Sequence, residues 1–188
     1  VMAILALDVS GIPRTWVSND DAISYHAKGL VAWSLGSVVA RYRGGTRNDG
    51  TQSYLETPSI IAIKGTGFDF KKHTHVILTN KTLFARDRSV CAYCGDHHTS
   101  HQFLSRDHIK PRFLGGEDEW MNVVTACKPC NQKKGCKTLK QAGMELLYVP
   151  YEPSHYEHLV LQNRSILADQ MDYLMSGIPK HSRIRLYF

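Results

Sequence analysis

The apolar positions of this chain fall into short blocks separated by turn residues. "AILALDV" (residues 3–9) opens with five apolar residues in a row, the pattern of a strand covered on both faces, and "GIP" after it reads as a turn. "SNDDAISYHAKG" follows helical rules, with Ser18 as N-cap, Asp20 and Asp21 in the first turn and Gly29 at the end. "LVAWSLGSVVARY" predicts another strand or two, and "PSIIAIKG" a short buried one. Between them, the glycines and arginines of "RGGTRNDG" could cradle a phosphate, but they match no P-loop, so a surface hairpin is expected. "TGFDFKKHTH" (66–75) reads as a polar connection.

The pattern continues with a helix over "LTNKTLFARDRSV", Leu83 and Phe84 facing inward. "HQFLSRDHI" predicts a strand, "KPRFLGGEDEW" a loop, "NVVTA" a second strand, and "KPCNQKKG" a short helix stopped by Gly135. From Ser154 to Gly177 apolar residues recur near helical spacing (Tyr156, Leu159, Val160, Ile166, Leu167, Met171, Leu174, Met175), predicting one long helix. Its stripe has two readings: packing on its own domain, or the seam of a homodimer. The stretch Val1–Leu7 lacks a basic start and is too short to cross a membrane, so a cytoplasmic chain without a membrane partner is expected.

Charge sharpens the picture. The net charge is +6, and residues 81–140 carry eleven Lys/Arg against six Asp/Glu. Lys128, Lys133, Lys134, Lys137 and Lys140 follow one another without an intervening acid. Such a run is either a solvated face or a nucleic-acid contact. Cys91–Cys94 and Cys127–Cys130 form two Cys-x-x-Cys knuckles, which together supply the tetrahedral sulfur set of a structural zinc site. Two disulfides or scattered thiols are the alternatives. Cys136 is left over as a plain reduced thiol.

With those knuckles as a frame, "CAYC … SRDHIKPRFLGGEDEWMNVVTACKPCNQKKG" resembles the HNH endonuclease family in its zinc-stabilised ββα-metal form, from Cys91 to Gly135. More loosely, "ILALDVSGIPRTWVSNDDAISYHAKG" and "PSIIAIKG … LTNKTLFARDRSVCAYCG" resemble the N-terminal halves of bacterial and phage HNH proteins. The resemblance implies an α+β fold: a mixed α/β region at 1–77, a ββα-metal nuclease domain with its zinc site at 78–140, and a C-terminal helical region at 141–188. It also implies a DNA endonuclease in which Asp107 ligates a catalytic cation, His108 is the general base and Asn131 is the second metal ligand. Asn122 then ties down the loop bearing the base, giving an HNN variant of the motif.

The chemistry accords with that implication. Phosphodiester hydrolysis needs an activated water and charge stabilisation at the phosphate and the departing oxygen; an imidazole and a divalent cation supply them. Asp107 and His108 are strand neighbours, so their side chains leave on opposite faces unless the backbone bends. An amide oxygen beside a carboxylate suits Mg²⁺ or Mn²⁺. Arg106, Lys110, Arg112, Lys128, Lys133, Lys134 and Lys137 are the candidate nucleic-acid contacts, with Lys134 on the same helical face as Asn131. Each residue also has a plainer reading. Asp107 could pair with Arg106 or Lys110, His108 could be a satisfied half-buried imidazole, and Asn131 a helix cap. A non-catalytic zinc-containing module that binds nucleic acid is the alternative function.

Overall fold

The computed structural model describes residues 2–65 and 75–188. The polar connection expected at 66–75 lies, apart from its last residue, outside the described residues. The chain divides into two units, residues 1–75 with 155–188, and residues 76–154, where the sequence suggested three consecutive segments.

The first unit is built on a four-stranded sheet of order β2-β1-β4-β3, with β1 at Ile4–Leu7, β2 at Pro13–Val17, β3 at Val31–Thr46 and β4 at Gln52–Ile63. β1 runs antiparallel to β2 and parallel to β4. All four β1 residues are buried, and the pleat explains how. Leu5 and Leu7 join Ile60 and Ala62 on one face, against Leu159, Val160, Leu174 and Ile178. Ile4 and Ala6 join Ile61 and Ile63 on the other, against Ala22. Ala22 lies on α1 (Asn19–Ala27), whose Ser18 cap accepts the Asp21 N–H at 3.1 Å.

The tail contributes α5 (His155–Gln162) and α6 (Ala168–Ser176), two helices where the spacing predicted one. Asn163 causes the break: its Oδ1 accepts the Ser165 N–H at 3.0 Å, a local turn that competes with helix continuation. Their apolar stripe is buried within this unit, which corrects the dimer-seam reading of that face. Gln170, fully buried on α6, donates to the carbonyls of Ala3 (2.9 Å) and Ser59 (2.8 Å) and so stitches the tail to the strands.

The second unit contains α2 (Asn80–Arg86), β5 (Leu104–His108), β6 (Val123–Cys127), α3 (Lys128–Lys134) and α4 (Leu139–Ala142). The β5 strand pairs antiparallel with β6, from Leu104 opposite Cys127 to His108 opposite Val123. Helix α2 is shorter than the sequence suggested, because Arg88 and Ser89 take positive φ and turn the chain toward the first knuckle. Beneath the hairpin, Arg86 (1% exposed) forms a double hydrogen bond with Asp87 at 2.8 and 2.9 Å and donates to the carbonyls of Trp120, Val123 and Tyr151. Asp87 accepts the Thr125 N–H at 2.9 Å, so one buried ion pair registers α2 against β6 and the loop before it.

Candidate active site and metal centre

The four knuckle cysteines converge, their sulfurs all within 4.8 Å of one another, while Cys136 stands exposed outside the cluster. Backbone bonds shape the first knuckle: Cys91 N–H donates to Asp96 O (2.9 Å) and Gly95 N–H to Cys91 O (3.0 Å), with Gly95 at φ +80°. The second knuckle crosses the junction of β6 and α3, so a metal ion there would fix the start of the helix. Burial pushes the Cys91 thiol up, but N–H groups of Cys127, Cys94 and Tyr93 outweigh it and leave Cys91 below the usual thiol value. Burial drives Cys94 upward and takes Cys130 up to about 11, its neighbours adding to the effect. Four crowded sulfurs are the donor set that a doubly charged, thiophilic ion satisfies. The site fits structural zinc.

The loop joining β5 to β6 is fixed by a glycine and an asparagine. A Cβ on Gly116 would lie 1.8 Å from the Lys110 carbonyl oxygen, so no larger residue fits this close crossing. Asn122 accepts the Lys110 N–H at 2.9 Å and donates to the carbonyls of Lys110 (3.3 Å) and Glu117 (2.9 Å). Its amide therefore spans both arms of the loop that follows His108.

The β5 pleat sends its polar side chains two ways. Arg106 and His108 both reach Asp118: His108 Nε2 lies 2.9 Å and Arg106 Nη1 2.8 Å from the same Oδ1. Ser105 and Asp107 reach α3 instead. Asn131 Nδ2 donates to Ser105 Oγ (2.8 Å) and Arg106 O (3.2 Å). Lys134 Nζ donates to Asp107 Oδ1 (3.0 Å) and His108 O (2.7 Å). The other Asp107 oxygen accepts from Tyr93 OH, whose own ionisation is pushed far up by burial and by this carboxylate, so the phenol stays a donor.

Residues 91–147 match the HNH endonuclease family. The HNH segment is under a third of the chain and lies wholly within the second unit. It closes on itself, since Leu147 N–H donates to Ala92 O at 2.8 Å and Ala92 N–H to Thr125 O at 2.8 Å. No curated protein and no solved structure matches the chain. At the level of the family, the likeness is to nucleases.

Within the HNH segment, two of the candidate nucleic-acid contacts are placed otherwise than expected. Lys134 is 1% exposed and spent on Asp107, and Arg106 is turned onto Asp118 and Asn80. Lys110, Arg112, Lys128, Lys133 and Lys137 are exposed. Asp107 does form an ion pair, with Lys134 in place of either neighbour considered from sequence. Tyr93 and Asp118 escaped the sequence reading altogether. Tyr93 sits inside the first knuckle, and Asp118 is the middle of three consecutive acids, with nothing local to single it out.

Asp107, from β5, and Asn131, from α3, are the residues that would offer a carboxylate and an amide oxygen to a hard divalent cation. Lys134 already holds one Asp107 oxygen and the His108 carbonyl, and Tyr93 OH the other Asp107 oxygen, so a cation bound there would have to displace the Lys134 ammonium. Oxygen donors of this kind fit Mg²⁺ or Mn²⁺.

Proposed function

We propose that residues 76–154 form a metal-dependent HNH endonuclease that hydrolyses DNA phosphodiester bonds. One observation carries this reading. The His108 imidazole is fixed by Asp118 on one face of the hairpin strand, while on the other face the Asp107 carboxylate meets the knuckle helix that carries Asn131 and Lys134. With Asp118 on Nε2, that nitrogen carries the proton and Nδ1 remains basic. His108 Nδ1 then takes the proton of the attacking water as its oxygen bonds to phosphorus. Asp107 and Asn131 would hold the divalent cation, which when bound stabilises charge on the phosphate and on the departing 3′ oxygen. Asn122 holds the loop that presents the base. Lys110, Arg112, Lys128, Lys133 and Lys137 contact the DNA backbone. The four-cysteine zinc is structural and fixes the start of α3.

A second reading, a non-catalytic zinc module that binds nucleic acid, draws support from the Asp107–Lys134 ion pair, which satisfies the carboxylate without a metal. Nicking of supercoiled plasmid separates the two. The wild-type protein should relax plasmid with Mg²⁺ or Mn²⁺ and not without, and His108→Ala should lose nearly all of that activity. Binding without cleavage under every metal condition establishes the second reading.

A further inference from the structure

The first unit carries a feature that the proposed nuclease chemistry does not use. Strands β3 and β4 form a hairpin far longer than the sheet it belongs to. β1 pairs with β4 only at Ile60–Ala62, whereas β3 and β4 continue as partners from Val38 opposite Pro58 to Thr46 opposite Gln52. Beyond Ala40 opposite Thr57, among the described residues, the pair is a two-stranded ribbon with no third strand beside it and no residue in the apolar clusters of this unit. Ala40–Thr46 reach roughly 20 Å at ~3.3 Å per residue.

The end of this ribbon is well ordered by its own bonds. Arg47 N–H donates to Thr51 O (2.7 Å), Gly50 N–H to Arg47 O (2.9 Å), Asp49 Oδ1 accepts from Thr51 N (2.9 Å) and Oγ1 (2.6 Å), and Ser53 Oγ donates to Gly45 O (2.6 Å). The acid at the tip is thus consumed by the turn. Arg41 lies over the Tyr54 ring, 4.1 Å from its centroid, and pairs with Glu56 at 3.4 Å. Arg43, opposite Tyr54, and Arg47 are exposed, and among the described residues neither meets a carboxylate. Gly44 and Gly45, between them, carry no side chain, and their carbonyls accept from Gln52 and Ser53 of the partner strand.

We propose that this ribbon is a second duplex-DNA contact, lying in a groove with Arg43 and Arg47 on the phosphates at its rims. Charge favours a polyanion, because the two unpaired cations sit at the free end of a chain already at +6. Dimension favours a duplex over a single strand, since a major groove about 12 Å wide admits a two-stranded β-ribbon. The inference rests on the reading of DNA as substrate but concerns binding alone.

The test is fluorescence anisotropy with a labelled duplex of about three helical turns (~30 bp), in buffer without divalent metal, using zinc-loaded His108→Ala protein so that nothing is cut. Adding Arg43→Ala and Arg47→Ala should lower the slope of log affinity against log salt by roughly 1.8, since each phosphate contact is worth about 0.9. Arg43→Lys with Arg47→Lys should restore it, and affinity for single-stranded DNA of the same length should change little. An unchanged slope overturns the proposal, as does a parent protein that does not bind duplex. So does a loss traced by sedimentation to dissociation of a β3-paired dimer, which makes the occupant a second copy of this chain. Plasmid nicking by wild-type protein, scored in parallel, reports on the nuclease reading separately: nicking with an unchanged slope removes only the ribbon, and binding with the expected slope but no nicking removes only the nuclease.

Discussion

The Lys134 ammonium rests 3.0 Å from Asp107 Oδ1, with the two side chains 1% and 6% exposed. A buried pair of this kind is stable only as a pair. Lys134→Met leaves a carboxylate buried without its counter-charge and should cost about 3–5 kcal/mol. Asp107→Asn combined with Lys134→Met should be less damaging than the two single changes added together. Urea denaturation of zinc-loaded proteins measures this, and simple additivity would show that the pair is not coupled. The pair also alters how metal titrations must be interpreted: Asp107→Ala strands Lys134, so its activity loss has to be judged on protein shown to be folded.

His108 and Asp118 offer a cleaner test of catalysis. His108→Ala should leave zinc content and folding intact and lower the nicking rate by about 10²–10⁴, the usual worth of a positioned base. Asp118→Ala frees both His108 and Arg106 and should give a smaller loss, mostly recovered by Asp118→Asn, which can still accept from the imidazole. Full activity in the His108 variant assigns the proton transfer to another group.

Zinc binding should dominate the stability of the second unit. Structural zinc in comparable sites contributes on the order of 10–16 kcal/mol of apparent binding energy at neutral pH. Cys127→Ser should therefore unfold residues 76–154. Because burial holds the Cys94 and Cys130 thiols high, acidification restores protons to sulfur and should release the ion. Elemental analysis of the purified protein, and circular dichroism of the variant, decide the matter; a folded, active, zinc-free protein contradicts it.

The exposed lysines of α3 and its flank should act through phosphates. Lys133→Ala with Lys137→Ala should lower the salt slope of duplex binding by roughly 1.8. Lys134→Ala should leave the slope unchanged, because that ammonium is buried on Asp107. A slope that responds to Lys134 and not to the other two puts the surface elsewhere.

Asp8 makes the first unit acid-sensitive. Burial raises its carboxyl, but bonds from Ser10, the Ile12 N–H and Arg14 outweigh that and leave it below its ordinary value of 3.8. A depressed folded-state value stabilises the fold above the ordinary carboxylate range, and the contribution is lost as pH falls through the lowered value. Thermal melts from neutral pH downward should show this loss, and Asp8→Asn should flatten it while costing about 1–3 kcal/mol at neutral pH. Identical pH dependence in the variant would place the acid sensitivity on other carboxylates.

Much of this protein was legible along the chain because the deciding physics is local. An unbroken apolar run specifies a strand covered on both faces, a serine followed by acids starts α1, and paired Cys-x-x-Cys knuckles bring four sulfurs to one point. The family resemblance marked Asn122 as the residue that ties down the loop, and a close backbone crossing explains the glycine at position 116. Other features depend on residues far apart in sequence. The parallel pairing of β1 with β4, the return of α5 and α6 onto that sheet, and the Gln170 bonds to Ala3 and Ser59 join segments that no short window contains. The choice of Lys134 as the buried lysine in a basic run follows from the angle at which α3 meets β5, which aims one helical position at Asp107. Asp118 is selected from three adjacent acids in the same way, by the loop path that brings one carboxylate to His108 and Arg106. Periodicity and capping fix which elements form, because neighbours along the chain decide them; tertiary structure alone decides which charge meets which, because that depends on where the elements cross.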